Sequence, residues 1–265
     1  MLILALDTTG EKGGIGIFRG AQCLASLPNQ DPMNRFSVSL FEMLERALGE
    51  ARVTLADIEL FAVANGPGSF TGIRVGLAAA QAWARAFDRS VRGVSILAAM
   101  AEAALRSPNR LSTPPGGSTS SGALAPETDA ACGKEVLPEV LIPVLDARRN
   151  EFYVGALRRA PASKVLSPGR YEPLDTGWVL GMEELRTYLQ DHLAATASVE
   201  CLARVHEDAV LKARDALPQS VQWRVVEGSL VEATARLAAR DQENGQPAVP
   251  LDAYYIRRPD AELKR

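Results

Sequence analysis

The segment Asn65-Gly66-Pro67-Gly68-Ser69-Phe70-Thr71-Gly72-Ile73-Arg74-Val75-Gly76 decides how the chain is to be read. It follows an apolar run from Ile58 to Ala64 that reads as a buried strand, and it leads into a helix predicted to about Phe87. Two glycines around Pro67 permit a sharp corner with backbone close to a neighbour or ligand. Ser69 or Thr71 can cap the helix, whose first amides suit an anion. Gly72, Gly76, Ala80 and Ala84 recur every four residues and form a side-chain-poor stripe that a helix or strand can approach closely. Two plainer readings compete: a corner that holds no ligand, and a stripe packed on the chain's own sheet.

Upstream, Leu2 to Leu6 is a short apolar run ending at Asp7-Thr8-Thr9, with Gly10, Gly13, Gly14 and Gly16 after it. Apolar residues return at Ile15, Ile17 and Phe18, then at Cys23, Leu24 and Ala25, which predicts a three-stranded meander opening an α/β domain. Asp7-Thr8-Thr9 reads either as turn chemistry, with side-chain oxygens capping amides, or as a loop facing phosphate. Residues 34–51 carry Phe36, Leu40, Phe41, Leu44, Ala47 and Leu48 at helical spacing, with Asn34 as N-cap and Gly49 at the end. A strand and a helix are predicted over 91–106.

Residues 107–138 are rich in Ser, Thr, Pro and Gly and are expected to form a flexible insertion between two halves, 1–106 and 139–265. The second half opens with a strand over 140–145 ending at Asp146-Ala147-Arg148-Arg149, then a partner strand over 151–157, echoing the start of the chain. Helices follow at about 182–194, 207–214 and 228–241, with strands near 199–203 and 221–226. The aromatic and basic tail, 253–259, reads as a docked terminal segment.

Composition excludes several classes of function. The 265 residues are 47% hydrophobic and 23% charged, ordinary for a globular chain. With 29 Lys and Arg against 32 Asp and Glu, the net charge is −3, so no basic excess marks a nucleic-acid grip. The three cysteines, Cys23, Cys132 and Cys201, have no CxxC spacing and fit a reducing compartment. His192 and His206 cannot form HxxxH, so no metal site is expected. Neither a GxSxG elbow nor a GxxxxGK[ST] loop occurs. The N-terminus reads as a strand, not a signal peptide, and no apolar run is long enough for a membrane span, so the cytoplasm is the expected compartment.

The Asp-Thr start, GPGSFTGIRVG after the fourth strand and LDARRNEFY opening the second half together resemble the TsaB family. Members are partner subunits in the bacterial machinery that makes threonylcarbamoyladenosine in tRNA. The resemblance covers the chain apart from 107–138. It implies an actin-like (ASKHA, ribonuclease H-like) fold of two related α/β halves. It also implies a non-catalytic role: binding and supporting a TsaD-like catalytic subunit, with a TsaE-like ATPase completing the assembly and tRNA engaged only through the complex.

In the family the partner is met by the first two helices, here 35–50 and 72–87. The resemblance therefore assigns partner binding to Arg35, Phe36, Leu40, Phe41 and Leu44 on the first, and to Gly72, Gly76, Ala80 and Trp83 on the second. The chain alone is expected to bind no cofactor; ATP or ADP at the partner interface would place Ser69, Thr71 and Arg74 near phosphate. A homodimer of the free chain stays open. The sequence departs from the family at Arg35-Phe36-Ser37, where a His-Ser pair is common, and at Cys201-Leu202-Ala203-Arg204, where a Gly-rich turn is usual. The alternative is an independent phosphotransferase with Asp7 and Asp146 facing a metal-nucleotide. A protease reading lacks any nucleophile or metal set.

Overall fold

The computed structural model describes residues 1–30, 36–106, 137–161, 171–204, 209–210, 213–214, 217, 221–226, 228–245 and 251–253. Asn34, Arg35, nearly all of the 107–138 insertion and the tail beyond Ala253 lie outside the described residues.

The first half is built on β1 (Leu2–Asp7), β2 (Gly14–Arg19), β3 (Gln22–Pro28), α1 (Phe36–Ala51), β4 (Leu60–Gly66), α2 (Phe70–Ala86), β5 (Ser90–Ser95) and α3 (Ile96–Ala104). The meander forms as the alternation predicts, β1 pairing antiparallel with β2 and β2 with β3. On the other side β4 lies parallel to β1 and β5 parallel to β4, giving the order β3-β2-β1-β4-β5. A parallel neighbour needs a crossover, and α1 and α2 supply the crossovers to β4 and β5.

The second half contains β6 (Val140–Asp146), β7 (Glu151–Val154), β8 (Leu157–Arg159), β9 (Tyr171–Pro173), β10 (Trp178–Gly181), α4 (Met182–Ala195), β11 (Val199–Arg204), β12 (Gln222–Val226) and α5 (Val231–Glu243). Its sheet runs β10-β7-β6-β11-β12, with the same pattern of parallel and antiparallel pairs as the first. The strand expected over 151–157 is broken at Gly155 and Ala156. Its first part pairs with the end of β6, while Leu157 onward pairs with the beginning of β6 and with β9. Within the stretch expected to be helical over 207–214, Ala209, Val210, Ala213 and Arg214 are helical.

Three cores stack in layers. Leu2, Leu4 and Leu6 of β1 pack with α1 and α2 on the outer face of the first sheet. Ile3 and Ala5, of opposite parity, turn inward to a core shared by both sheets and filled by α3 and α5. The outer face of the second sheet is covered by α4 through Leu185 and Leu189. No helix among the described residues is long and apolar enough to cross a membrane.

Candidate functional site

The Gly-Pro-Gly corner brings the ends of β1 and β4 together at the start of α2; the Gly66–Pro67 peptide is cis. Ser69 caps α2, its Oγ accepting from the Gly72 amide at 3.2 Å. The Ser69 amide donates to the Thr9 carbonyl at 2.7 Å. Thr8 Oγ1 donates to the Gly72 carbonyl at 2.7 Å. Thr9 donates twice to Asp7 Oδ1, from its amide at 3.0 Å and its hydroxyl at 2.6 Å. A Cβ on Gly72 would collide with the Thr8 carbonyl oxygen, and one on Gly76 with Thr8 Oγ1. The small-residue stripe is thus spent on the chain's own β1 loop.

This decides between the readings of Asp7-Thr8-Thr9. The loop is turn chemistry: the amides of Thr9 and Ser69 and the hydroxyls of Thr8 and Thr9 are all donated within the chain. These four donors are therefore not available to a nucleotide phosphate. Asp7 is fully buried, and its Oδ2 has no hydrogen-bond partner. In the second half, Asp146 closes the same kind of turn, accepting from the Arg148 amide at 2.7 Å. The two aspartates are not equivalent, however. Asp7 has the parity of Ile3 and Ala5, which face between the sheets, whereas Asp146 has that of Val140, Ile142 and Val144, which face outward. That arrangement does not favour a metal-nucleotide held by both.

The α1–α2 pair corrects much of the anchor assignment. Phe36, Leu40, Leu44 and Trp83 are buried in the core beneath α1 and α2, as are Gly72, Gly76 and Ala80. Phe41 is the exception at 63% exposed, joined by Val38 at 69%, which the sequence reading passed over. The reason is angular. Counting 100° per residue from Phe36, the inward residues Leu40, Met43, Leu44 and Ala47 fall within roughly 80°, but Phe41 lies about 140° and Val38 about 200° round. A residue five positions from Phe36 falls off the apolar stripe. Ala78 and Ala82 on α2 are also exposed, flanked by Gln81 and Arg85. At the start of α2, Thr71 and Arg74 are exposed, with the Arg74 guanidinium 3.9 Å above the Phe70 ring.

Comparison with known proteins bears on this face. The family model for TsaD, tRNA N6-adenosine threonylcarbamoyltransferase, matches residues 31–125, which include both helices. The tRNA threonylcarbamoyladenosine biosynthesis protein TsaB of Escherichia coli strain K12 is 33% identical over 108 residues, covering 40% of this chain and 45% of that protein. TsaB of Bacillus subtilis strain 168 is 28% identical over 155 residues, 58% of this chain and 54% of its own. Both of these relatives carry the TsaB name. The chain spans about half the length of the curated TsaB relatives it matches. A Pseudomonas aeruginosa crystal structure described as similar to the peptidase YEAZ superposes with a TM-score of 0.66 at 23% identity, over 97% of this chain and 99% of that one. A second, YeaZ from the same organism, gives 0.62 at 21%. The chain has the actin-like fold with two α/β halves.

Proposed function

We propose that this chain is the non-catalytic partner of a TsaD-type threonylcarbamoyltransferase in making threonylcarbamoyladenosine in tRNA, and that it binds that enzyme through the outward face of α1 and α2. The observation that carries the reading is the exposed apolar pair Val38 and Phe41 on α1, with Phe41 in contact with Trp83 of α2, whose Ala78 and Ala82 are exposed as well. Large exposed apolar side chains on a helix pair that also exposes the charged Glu42, Glu45, Arg46 and Arg85 fit a protein interface. The TsaB names of the relatives support the process, and the TsaD match over both helices supports the kind of partner. By binding the active arrangement of the enzyme better than others, the chain would raise its population.

In the same reading Thr71 and Arg74 are the groups of this chain that would meet a phosphate of ATP or ADP at the partner boundary. Ser69 is occupied as the helix cap. A TsaE-type ATPase and tRNA enter through the transferase, and the free chain can bury the same face against a second copy about a two-fold axis. The phosphotransferase alternative is disfavoured by the commitment of Thr8 and Thr9 within the chain.

Co-purification with the TsaD-type subunit of the same organism tests the proposal. Phe41→Asp and Val38→Asp are expected to weaken capture about thirtyfold or more, as loss of a central anchor does. Undiminished capture by the double variant would remove this face from the interface. Failure of the unaltered chain to capture the enzyme would remove the partner reading itself.

A further inference from the structure

The turn between β1 and β2 is touched from across the molecule by two arginines of the second half. Arg204, the last residue of β11, is only 6% exposed, and one of its terminal nitrogens donates both to the Lys12 carbonyl at 3.3 Å and to the Gly228 carbonyl at 3.0 Å. It therefore ties the first-half turn to the segment that follows β12. Arg148, in the turn between β6 and β7, pairs with Glu11 at 3.3 Å. The backbone that presents Arg148 is unusual: Arg148, Arg149 and Asn150 all have positive φ, at 67°, 58° and 60°. A run of three left-handed residues without glycine is costly and persists only where its surroundings over-determine it. Here the Asp146 carboxylate holds the Arg148 amide, and the Glu151 amide donates to the Arg148 carbonyl at 3.1 Å.

We propose that Arg204 and Arg148 form a latch that fixes the β1–β2 turn to the second half, so that the two sheets do not part at the carboxyl ends of β1, β6 and β11. Arg204 does most of the holding, because its charged donor meets two carbonyls out of solvent, whereas the Arg148–Glu11 pair is 75% and 65% exposed and contributes less. The shared core packs the seam beside the latch, where α5 comes so near β2 that a Cβ on Gly16 would stand 2.9 Å from Val231 Cγ1. Latched at the turn and packed alongside it, the chain presents the α1–α2 face from a body with one interdomain geometry.

Hydrogen exchange of the full-length chain, with no partner present, tests this separately from the partner reading. In Arg204→Met, amides of residues 8–14 and 146–151 are expected to exchange about tenfold faster or more, the effect of losing charge-assisted bonds that close a local opening, with β4 and α5 unchanged. Unchanged exchange in both turns, or an equal rise throughout the chain, would overturn the latch. Should Arg204→Met fail to fold, the charge reversal decides: Arg148→Glu is expected to speed exchange of residues 8–14 and Glu11→Arg/Arg148→Glu to restore it. A reversal that restores nothing would overturn the latch as well.

Discussion

The ring of Phe41 meets the ring of Trp83 edge-on, with centroids 6.3 Å apart and planes at 86°. Trp83 is buried and also leans on Phe61 of β4, at 6.2 Å. An exposed aromatic on α1 thus rests on a buried one of α2 that is itself seated on the sheet. The outward ring is held in place from below, which lowers the ordering cost of any partner that covers it.

Stability and binding should separate between two adjacent residues. Leu40, 1% exposed, lies in the core under α1, so Leu40→Ala is expected to cost about 2–5 kcal/mol. Phe41→Ser should cost about 1 kcal/mol or less, mainly the edge contact with Trp83. Urea unfolding of the two variants checks the contrast; equal losses would mean that Phe41 is also a core residue.

At the small-residue stripe, Gly76→Ala drives a methyl into Thr8 Oγ1, whose hydroxyl is already donated to the Gly72 carbonyl. A loss of about 1–3 kcal/mol is expected. Adding Thr8→Ala should recover part of it, so the double variant loses less than the sum of the singles when their denaturation midpoints are compared.

Arg224 and Glu200 form a buried pair on neighbouring strands β12 and β11, with bonds of 3.0 and 3.2 Å. Arg224 also donates to the Ala104 carbonyl at 2.7 Å, at the end of α3. Arg224→Met leaves a buried carboxylate without its cation and should cost about 3–5 kcal/mol, while Arg224→Met with Glu200→Leu should cost markedly less. Chemical denaturation of both variants decides it.

Burial near the end of α4 pushes the His192 imidazole below its ordinary range. Arg158 adds to this, and Asp175 and Asp191 oppose it. Its ring stands edge-on to Tyr188 at 4.6 Å, whose hydroxyl donates to Asp175 at 2.6 Å. A histidine held neutral in the folded state binds fewer protons than in the unfolded chain. Its contribution is therefore present above the ordinary range near about 6.5 and is lost as pH falls through it. Melting temperature should drop between pH 7.5 and 5.5, and His192→Gln should reduce the drop.

Strands and helices were readable in advance wherever one period ran unbroken. The alternation Leu2, Leu4, Leu6 against Ile3, Ala5 marked β1, and the stripe from Phe36 to Ala47 marked α1. The repeated Asp turn, at Asp7 and Asp146, pointed to two similar sheets. Less legible was which apolar residues of α1 face outward, because a list of hydrophobic positions carries no sign for direction; only their angles separate Phe41 from Leu40. Whether the stripe of α2 served the chain or a partner was undecided, since small residues permit close approach by either, and Thr8 settles it. Arg204 offered no signal beyond the absence of a glycine-rich turn, because its partners Lys12 and Gly228 lie 192 and 24 positions away.

The exchange of helices between the sheets bears on how the molecule could be divided. α3 comes from the first half yet lies against β6 and β12, while α5 comes from the second and covers β1, β2 and β4. Leu251 and Ala253 then return to the first half, where Gln81 holds the Leu251 carbonyl at 2.9 Å. Cutting the polypeptide within 107–138 would yield two fragments, each with a bare greasy sheet whose cover travels with the other. Neither would fold by itself, but mixed together they should reassemble, which makes this chain a natural candidate for a split-protein reporter.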